Sequence, residues 1–365
     1  MKKTIIVMAM LALACTGHCQ KKSTSKTKAN AQTEVRNVIF VVGDGMGTTQ
    51  VYSSVAHQGE RSQFLRFKHS GFSRTYSANK YTTDSGAGGT ALMTGHKVEN
   101  YHIAVGPDGS WHKSFVQEAH EKGMKTGFVV TCHIIDATPA STYGHTTDRN
   151  LKDSLSMQLA QCGFDVMVGG QRSVFRPENR KDGQAPIDTL QSKGYAMAYS
   201  LEEMEQANGK KLCALLTEEK PGPAPERNDM LTRGTKKALE MLSDGKEGFV
   251  LMIEGSQIDW ACHDNDTCRM RTEMEDFEKM LKVVLDYAEK DGHTLVVVTA
   301  DHETGGLALT DGNIDKGENQ MKFITGSHTG VMVPVFAFGP KAELFSGIHQ
   351  NTDFADIIRN LLGLK

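Results

Sequence analysis

The chain has 365 residues and carries 41 Lys and Arg against 44 Asp and Glu, a formal net charge of −3. So slight a bias offers no electrostatic platform for nucleic acid or an acidic membrane surface. A hydrophobic content of 39% with 23% charged residues excludes disorder throughout and suits one large α/β domain or two smaller ones, and no apolar run reaches the roughly 18 residues of a membrane-spanning helix.

In chain order, the first predicted element is an export signal over residues 1–19. Lys2 and Lys3 precede the apolar run Ile5–Ala14, the charge-then-apolar layout of a secretory leader. Release as a soluble periplasmic or secreted protein is the leading expectation. Cleavage after Ala14 would instead leave Cys15 as a lipidated first residue anchoring the protein to a membrane, although Ala12 is a poor match to the large aliphatic residue a lipobox has there. Residues 20–36 are rich in Lys, Ser and Thr without apolar period and read as a flexible tether. The remainder, 37–365, reads as a single folded domain.

Within it, Asn37–Val42 (NVIFVV) is a short continuous apolar run emptying into Gly43-Asp44-Gly45, as expected of a strand buried on both faces. GFVVT at Gly127–Thr131, FDVMV at Phe164–Val168, FVLMI at Phe249–Ile253, TLVVVT at Thr294–Thr299 and VPVFAF at Val333–Phe338 repeat the form. Between them, Met270, Met274, Phe277, Leu281, Val284 and Ala288 follow helical spacing, which predicts a core-facing helix stripe. Alternating strands and helices imply an α/β fold, a three-layer α/β/α sandwich on a mostly parallel sheet with reactive groups at the carboxyl ends of strands. Residues 171–233, with weaker pattern and the loop Pro221-Gly222-Pro223-Ala224-Pro225, read as a peripheral insertion. Of the cysteines beyond the leader, Cys262 could pair with Cys268, or Cys268 with Cys213; spacing does not choose, and the absence of CxxC spacing argues against a zinc knuckle.

The chemistry-bearing residues sit where strands end. Asp44 follows the first strand, Glu254 follows FVLMI, and Asp301-His302 follows TLVVVTA. Such carboxylates in one crevice repel one another unless divalent cations hold them. Asp259 and His263 are four apart, a chelating pair on one helical face. Ser85 opens the small-residue stretch SGAGGTA, where free N–H groups at a helix start would favour an anion and a nearby metal could hold the alkoxide. Thr138, within DATPA, offers a hard oxygen ligand, and Arg149 could clamp two phosphate oxygens as a bidentate fork.

In order and spacing, TDSGAGGTA, DATPA with its following DR, EGSQIDWACH, TADHETGG and SHTG resemble the alkaline phosphatase family, over about Asn37 to Pro340. The resemblance implies an alkaline phosphatase-like catalytic domain that hydrolyses phosphate monoesters in two steps through a phosphoserine. It makes Ser85 the nucleophile and Arg149 the phosphate clamp. One zinc site would use Asp259, His263 and His328, the second Asp44, Asp301, His302 and Ser85, and a magnesium site Asp44, Thr138 and Glu254. It further implies phosphate scavenging as the default role and a homodimer, with small-molecule monoesters as substrates. Asp136 is expected to orient magnesium waters or simply to cap its loop. Trp260 stands where some members carry a cation, so no direct charge contribution is expected there. The sulfatase pattern is absent after Ser85. A phosphodiesterase of the same superfamily and a non-catalytic secreted metal- or phosphate-binding protein are the competing readings; the full magnesium set favours monoesters over diesters.

Overall fold

Strand β1 (Asn37–Gly43) is buried along its whole length because both of its faces are covered: Val38, Phe40 and Val42 enter one core, Ile39 and Val41 the other. The computed structural model describes residues 34–364. The strands after β1 are β2 (His69–Arg74), β3 (Lys125–His133), β4 (Val166–Gly170), β5 (Tyr195–Ala198), β6 (Lys211–Leu215), β7 (Phe249–Gly255), β8 (Thr294–Thr299), β9 (Glu303–Thr304), β10 (Ala308–Asn313), β11 (Glu318–Lys322), β12 (His328–Thr329), β13 (Val333–Phe338) and β14 (Gly347–Gln350). Ten form one sheet, ordered β14-β2-β13-β8-β1-β7-β3-β4-β6-β5. Every pairing is parallel except the two made by β13. The sheet is therefore mixed but mostly parallel, as expected.

Helices cover both faces. On one lie α2 (Ser85–Thr94), α3 (Phe115–Glu121), α5 (Lys152–Cys162) and α11 (Asp353–Leu362), contributing Leu92, Phe115, Leu155 and Phe354 to the first core. On the other lie α1 (Thr48–Gln58), α8 (Met230–Leu242), α9 (Gln257–His263) and α10 (Thr267–Asp291). Helix α10 starts where Asp266 accepts from Arg269 N (2.9 Å) and stops at left-handed Gly292. All six residues of its expected stripe are buried, each large one contributing about 1.5–3 kcal/mol relative to exposure.

Residues 171–233 lie at one edge of the sheet and are continuous with it: they supply β5 and β6, with β6 hydrogen-bonded to β4. Neither of the two possible cysteine pairings is present. All five cysteines of the described residues are free, because Cys262 points into the core beside Gln50 whereas Cys268 is exposed and Cys213 is sealed inside β6. The export signal, Cys15 and residues 20–33 of the tether lie outside the described residues. Residues 34–36 are already docked, with Val35 buried and Arg36 N donating to His293 O (3.0 Å). Among the described residues no helix is long and apolar enough to cross a membrane.

Candidate active site

Register brings the carboxylates together. Val42 of β1 pairs with Glu254 of β7 and with Thr299 of β8, so the residues just beyond these strand ends, Asp44 and Asp301-His302, emerge beside Glu254 in one crevice. Gly45 N donates to Asp301 Oδ1 (3.3 Å). His302 Nε2 lies 3.1 Å from Asp301 Oδ2 and 3.5 Å from Asp44 Oδ1. The short helix α9 hangs from the end of β7 and presents Asp259 and His263 on one face, with Asp259 Oδ2 3.3 Å from His263 Nε2. His328, on β12, reaches the same point from far along the chain: its Nε2 is 3.6 Å from Asp259 Oδ1 and 3.1 Å from His263 Nε2, and its ring stacks on His302 at 3.5 Å.

The side chains fit divalent cations. His263 Nδ1 faces Gly326 O (2.8 Å) and His328 Nδ1 faces Thr83 O (2.9 Å). A carbonyl only accepts, so each Nδ1 carries the hydrogen and each neutral ring turns a lone pair at Nε2 towards the other. Two lone pairs 3.1 Å apart beside a carboxylate repel unless a cation lies between them. A proton can fill that role: the bond to Asp259 holds His263 up at about 9. His328 is pushed down to about 4 by burial and by His302. Of the two rings, His263 thus holds the proton that a metal would displace. Burial raises Asp259, but His263, His302 and His328 outweigh it and bring it to about 2. Asp44, by contrast, is driven well above its ordinary value by burial and by Asp301, Asp259, Glu254 and Asp136, and burial pushes Glu254 up to about 8. Asp44 Oδ1, Asp301 Oδ2 and Thr138 Oγ1 are buried without a hydrogen-bond partner. Buried polar atoms are normally satisfied, so these three point to a missing cationic neighbour. Two groups, Asp259-His302-His328 and Asp44-Asp301-His302, have ligand atoms all within 4.8 Å of one another.

Ser85 is the first residue of α2, and its Oγ is 3.3 Å from His302 Nε2. The cap is Asp84, whose Oδ1 accepts from Ala87 N (3.0 Å), so Ser85 is free of the capping duty. Gly88 lets this helix approach the Asp301 backbone: a Cβ there would lie 3.0 Å from Asp301 O. Arg149 reaches in with Nη1 on Asp84 Oδ2 and Nη2 on Asp136 Oδ1, both 3.0 Å. Burial alone would lower its pKa, but the Asp136 and Asp84 carboxylates more than offset that. Asp136 also caps α4 (Ala137–Ala140), which carries Thr138, by accepting from Ala137 N (2.8 Å). Trp260 is half-buried with its ring 6.1 Å from His133, and Lys220 Nζ lies 5.2 Å from the ring centre. Lys220, from another loop, therefore lies over the Trp260 ring.

Parallel strands that gather carboxylates and imidazoles at their carboxyl ends, beside a hydroxyl poised at a helix start, define a metal-dependent hydrolase. The family model for alkaline phosphatase matches residues 35–322, and the chain belongs to the alkaline phosphatase family. It is 30% identical to alkaline phosphatase 4 of Bacillus subtilis, across 99% of this chain and 97% of that protein. The solved structure of alkaline phosphatase from the Antarctic bacterium TAB5 is similar with a TM-score of 0.85 and 32% identity, covering 92% of this chain and 99% of that one. A variant of the TAB5 enzyme, with the same score and coverage and 32% identity, carries Mg bound in its M3 site. Family and fold together support phosphomonoesterase activity and metal dependence.

Sequence reasoning passed over Asp84, Lys220, Glu303 and Thr304. Asp84 had a signal, an acid immediately before a small-residue helix start. The other three are recognisable only from partners brought in by the fold. Thr304 Oγ1 hydrogen-bonds Asp259 Oδ1 and lies 3.3 Å from His302 Nδ1, bridging residues of the two clusters.

Proposed function

We propose that the protein hydrolyses phosphate monoesters through a phosphoserine formed on Ser85, with two zinc ions and one magnesium ion as resident cofactors. The observation that carries the reading is the pair of imidazole Nε2 atoms aimed at each other beside Asp259, with Ser85 Oγ in contact with the adjoining His302. Asp259, His263 and His328 would hold one zinc ion, and Asp44, Asp301, His302 and Ser85 the other, since nitrogen and carboxylate donors suit zinc. Asp44, Thr138 and Glu254, all oxygen donors, would hold magnesium. When bound, the zinc ions supply Lewis-acid stabilisation of the attacking and leaving oxygens, and magnesium adds positive charge to the crevice.

The chain's own groups do the rest. Ser85 Oγ gives up its proton and forms a bond to phosphorus as the bond from phosphorus to the substrate alcohol oxygen breaks, and the departing oxygen leaves as the alcohol by taking up one proton. Water then cleaves the phosphoserine, releasing inorganic phosphate and restoring the serine hydroxyl. Arg149 presents its guanidinium to the equatorial oxygens in both steps. Asp84 and Asp136 each accept one hydrogen bond from a terminal nitrogen and so fix the plane of the fork before substrate arrives. A general phosphate-scavenging role, export directed by the segment from Lys2 to Ala14 and assembly as a homodimer complete the proposal.

Phosphate release from a generic monoester, followed with and without chelator and alongside elemental analysis, tests the reading. Two zinc and one magnesium per chain, with chelator-sensitive turnover, are expected. Ser85→Ala should abolish both turnover and the acid-stable phosphoprotein that radiolabelled substrate leaves on quenching. A Ser85→Ala protein that still turns over at the wild-type rate would remove the serine from the mechanism.

A further inference from the structure

Glu303 follows the ligand pair Asp301-His302 directly, yet the reaction assigns it nothing. Its side chain is buried, with 4% exposure, and it is fully engaged. Oε1 accepts from Gln50 Nε2 (2.9 Å) and Leu307 N (3.1 Å), and Oε2 accepts from Gly306 N (3.2 Å) and Thr329 Oγ1. Those donors come from three segments. Gln50 lies on α1, just after the loop that carries Asp44. Gly306 and Leu307 belong to the turn behind His302. Thr329 adjoins His328, and β9 pairs with β12 by setting Thr329 opposite Glu303 and His328 opposite Thr304. The Asp44 loop is shaped around the same carboxylate stem: a Cβ on Gly47 would sit 2.3 Å from Glu303 Cγ. Gln50 Nε2 also donates to Thr304 O (2.9 Å), closing the link on the backbone.

The geometry points to Glu303 as a positioning residue that sets His328 at the Asp259-His263 cluster by tying its strand to the Asp44 loop. It rests on the proposed zinc site formed by Asp259, His263 and His328. A carboxylate is required because both oxygens face donors. An amide would turn its NH2 against either Gln50 Nε2 and Leu307 N or, on the other side, Gly306 N, and although the Thr329 hydroxyl can turn to accept, no rotamer of glutamine satisfies every donor. Residues that orient metal ligands from behind typically change metal affinity 10- to 100-fold when lost. Here the loss should fall on one ion, because Asp301 and His302 keep their own contacts with Gly45 and Asp44, whereas the strand that carries His328 is tied down through its pairing with β9.

Glu303→Gln and the milder Thr329→Val, which keeps a strand-forming residue but removes one donor, are compared with the wild-type protein. Zinc is titrated against a competing chelator, and the thermal midpoint of the metal-free form is recorded for each. The expected result is a 10- to 100-fold weaker affinity for one zinc ion in Glu303→Gln, a smaller change in the same direction in Thr329→Val, and an unchanged second zinc ion. Turnover at limiting zinc should fall and return when zinc is in excess, which a merely structural defect would not allow. Two unchanged zinc affinities in Glu303→Gln would overturn the inference. So would a uniform weakening of every metal that tracks a lowered metal-free midpoint. A wild-type protein that binds no zinc would overturn the zinc assignment itself, and that control separates the two failures.

Discussion

Replacing Arg149 by alanine should cut kcat/KM for monoester hydrolysis by about 10²- to 10⁴-fold. A guanidinium has five N–H donors. One on Nη1 is taken by Asp84 and one on Nη2 by Asp136, which leaves one hydrogen on each terminal nitrogen to meet two phosphate oxygens. A hydrogen bond to a charged group is worth about 1.5–3 kcal/mol, so losing two costs roughly 3–6 kcal/mol. At about 1.4 kcal/mol per decade that gives the range above. The upper end is expected, because alanine also leaves the Asp84 and Asp136 carboxylates facing the phosphate without a counter-charge. Arg149→Lys, which keeps the charge and loses the fork, should fall between wild type and alanine. Adding Asp84→Asn and Asp136→Asn to the alanine variant should recover part of the loss by removing the repulsion. The assay is steady-state hydrolysis by metal-saturated protein, with inhibition by inorganic phosphate measured in parallel. An alanine variant within threefold of wild type in both would refute the clamp.

The metal-free protein should lose thermal stability as pH rises from 7.5 to 9, above the range in which the depressed histidines, His328 among them, titrate in the unfolded chain. Glu254, buried and raised to about 8, and His263, held up to about 9 by Asp259, both bind more protons folded than unfolded in that window, so the slope of stability with pH is negative. Thermal midpoints across the window should fall with chelator and flatten with saturating zinc and magnesium; a midpoint that rises in chelator would contradict the charge assignment. Gly45→Ala should destabilise by about 1–2 kcal/mol from its left-handed backbone alone, φ being +71°. It should also lower zinc content, because the new Cβ would lie 2.8 Å from Asp259 Cα; full zinc occupancy in that variant would show that the loop has room to yield. Arg227→Met should cost about 3–5 kcal/mol in urea unfolding, because it strands the buried carboxylates of Glu273 and Asp276, which Arg227 Nη2 contacts at 2.6 and 2.8 Å; a loss under about 1 kcal/mol would mean that water relieves them.

The central strands were legible because a strand covered on both faces is buried at every position, as β1, β7 and β8 are, and each therefore carries a continuous apolar run along its middle. The sheet's margins were not. β2 alternates buried and exposed residues, β14 has no buried residue, and β5 is four residues long, so none carries the continuous run that identifies its neighbours. Of the residues gathered in the crevice, Asp44, Glu254 and Asp301-His302 were readable as polar residues where apolar runs stop. Their supports were hidden because a support is defined by its partner: Asp84 and Arg149 are 65 positions apart, and Glu303 and Gln50 are 253 apart. Cysteine pairing stayed open in the sequence for a related reason, since spacing along α9 and α10 does not reveal that Cys262 faces inward and Cys268 outward.

The crossing of the chain from Asp44 at the end of β1 to His328 on β12 has a consequence for assembly. During synthesis the first donor emerges long before the last, and the strands that set them side by side must all be laid down in between. Such non-local closure is slow, and a chain cut short before residue 328 would hold an incomplete pocket. On the proposed metal assignment ion capture is thus a late event, and once made it favours the native form by mass action, so the ambient metal supply should govern how much of the protein persists as well as how fast it works.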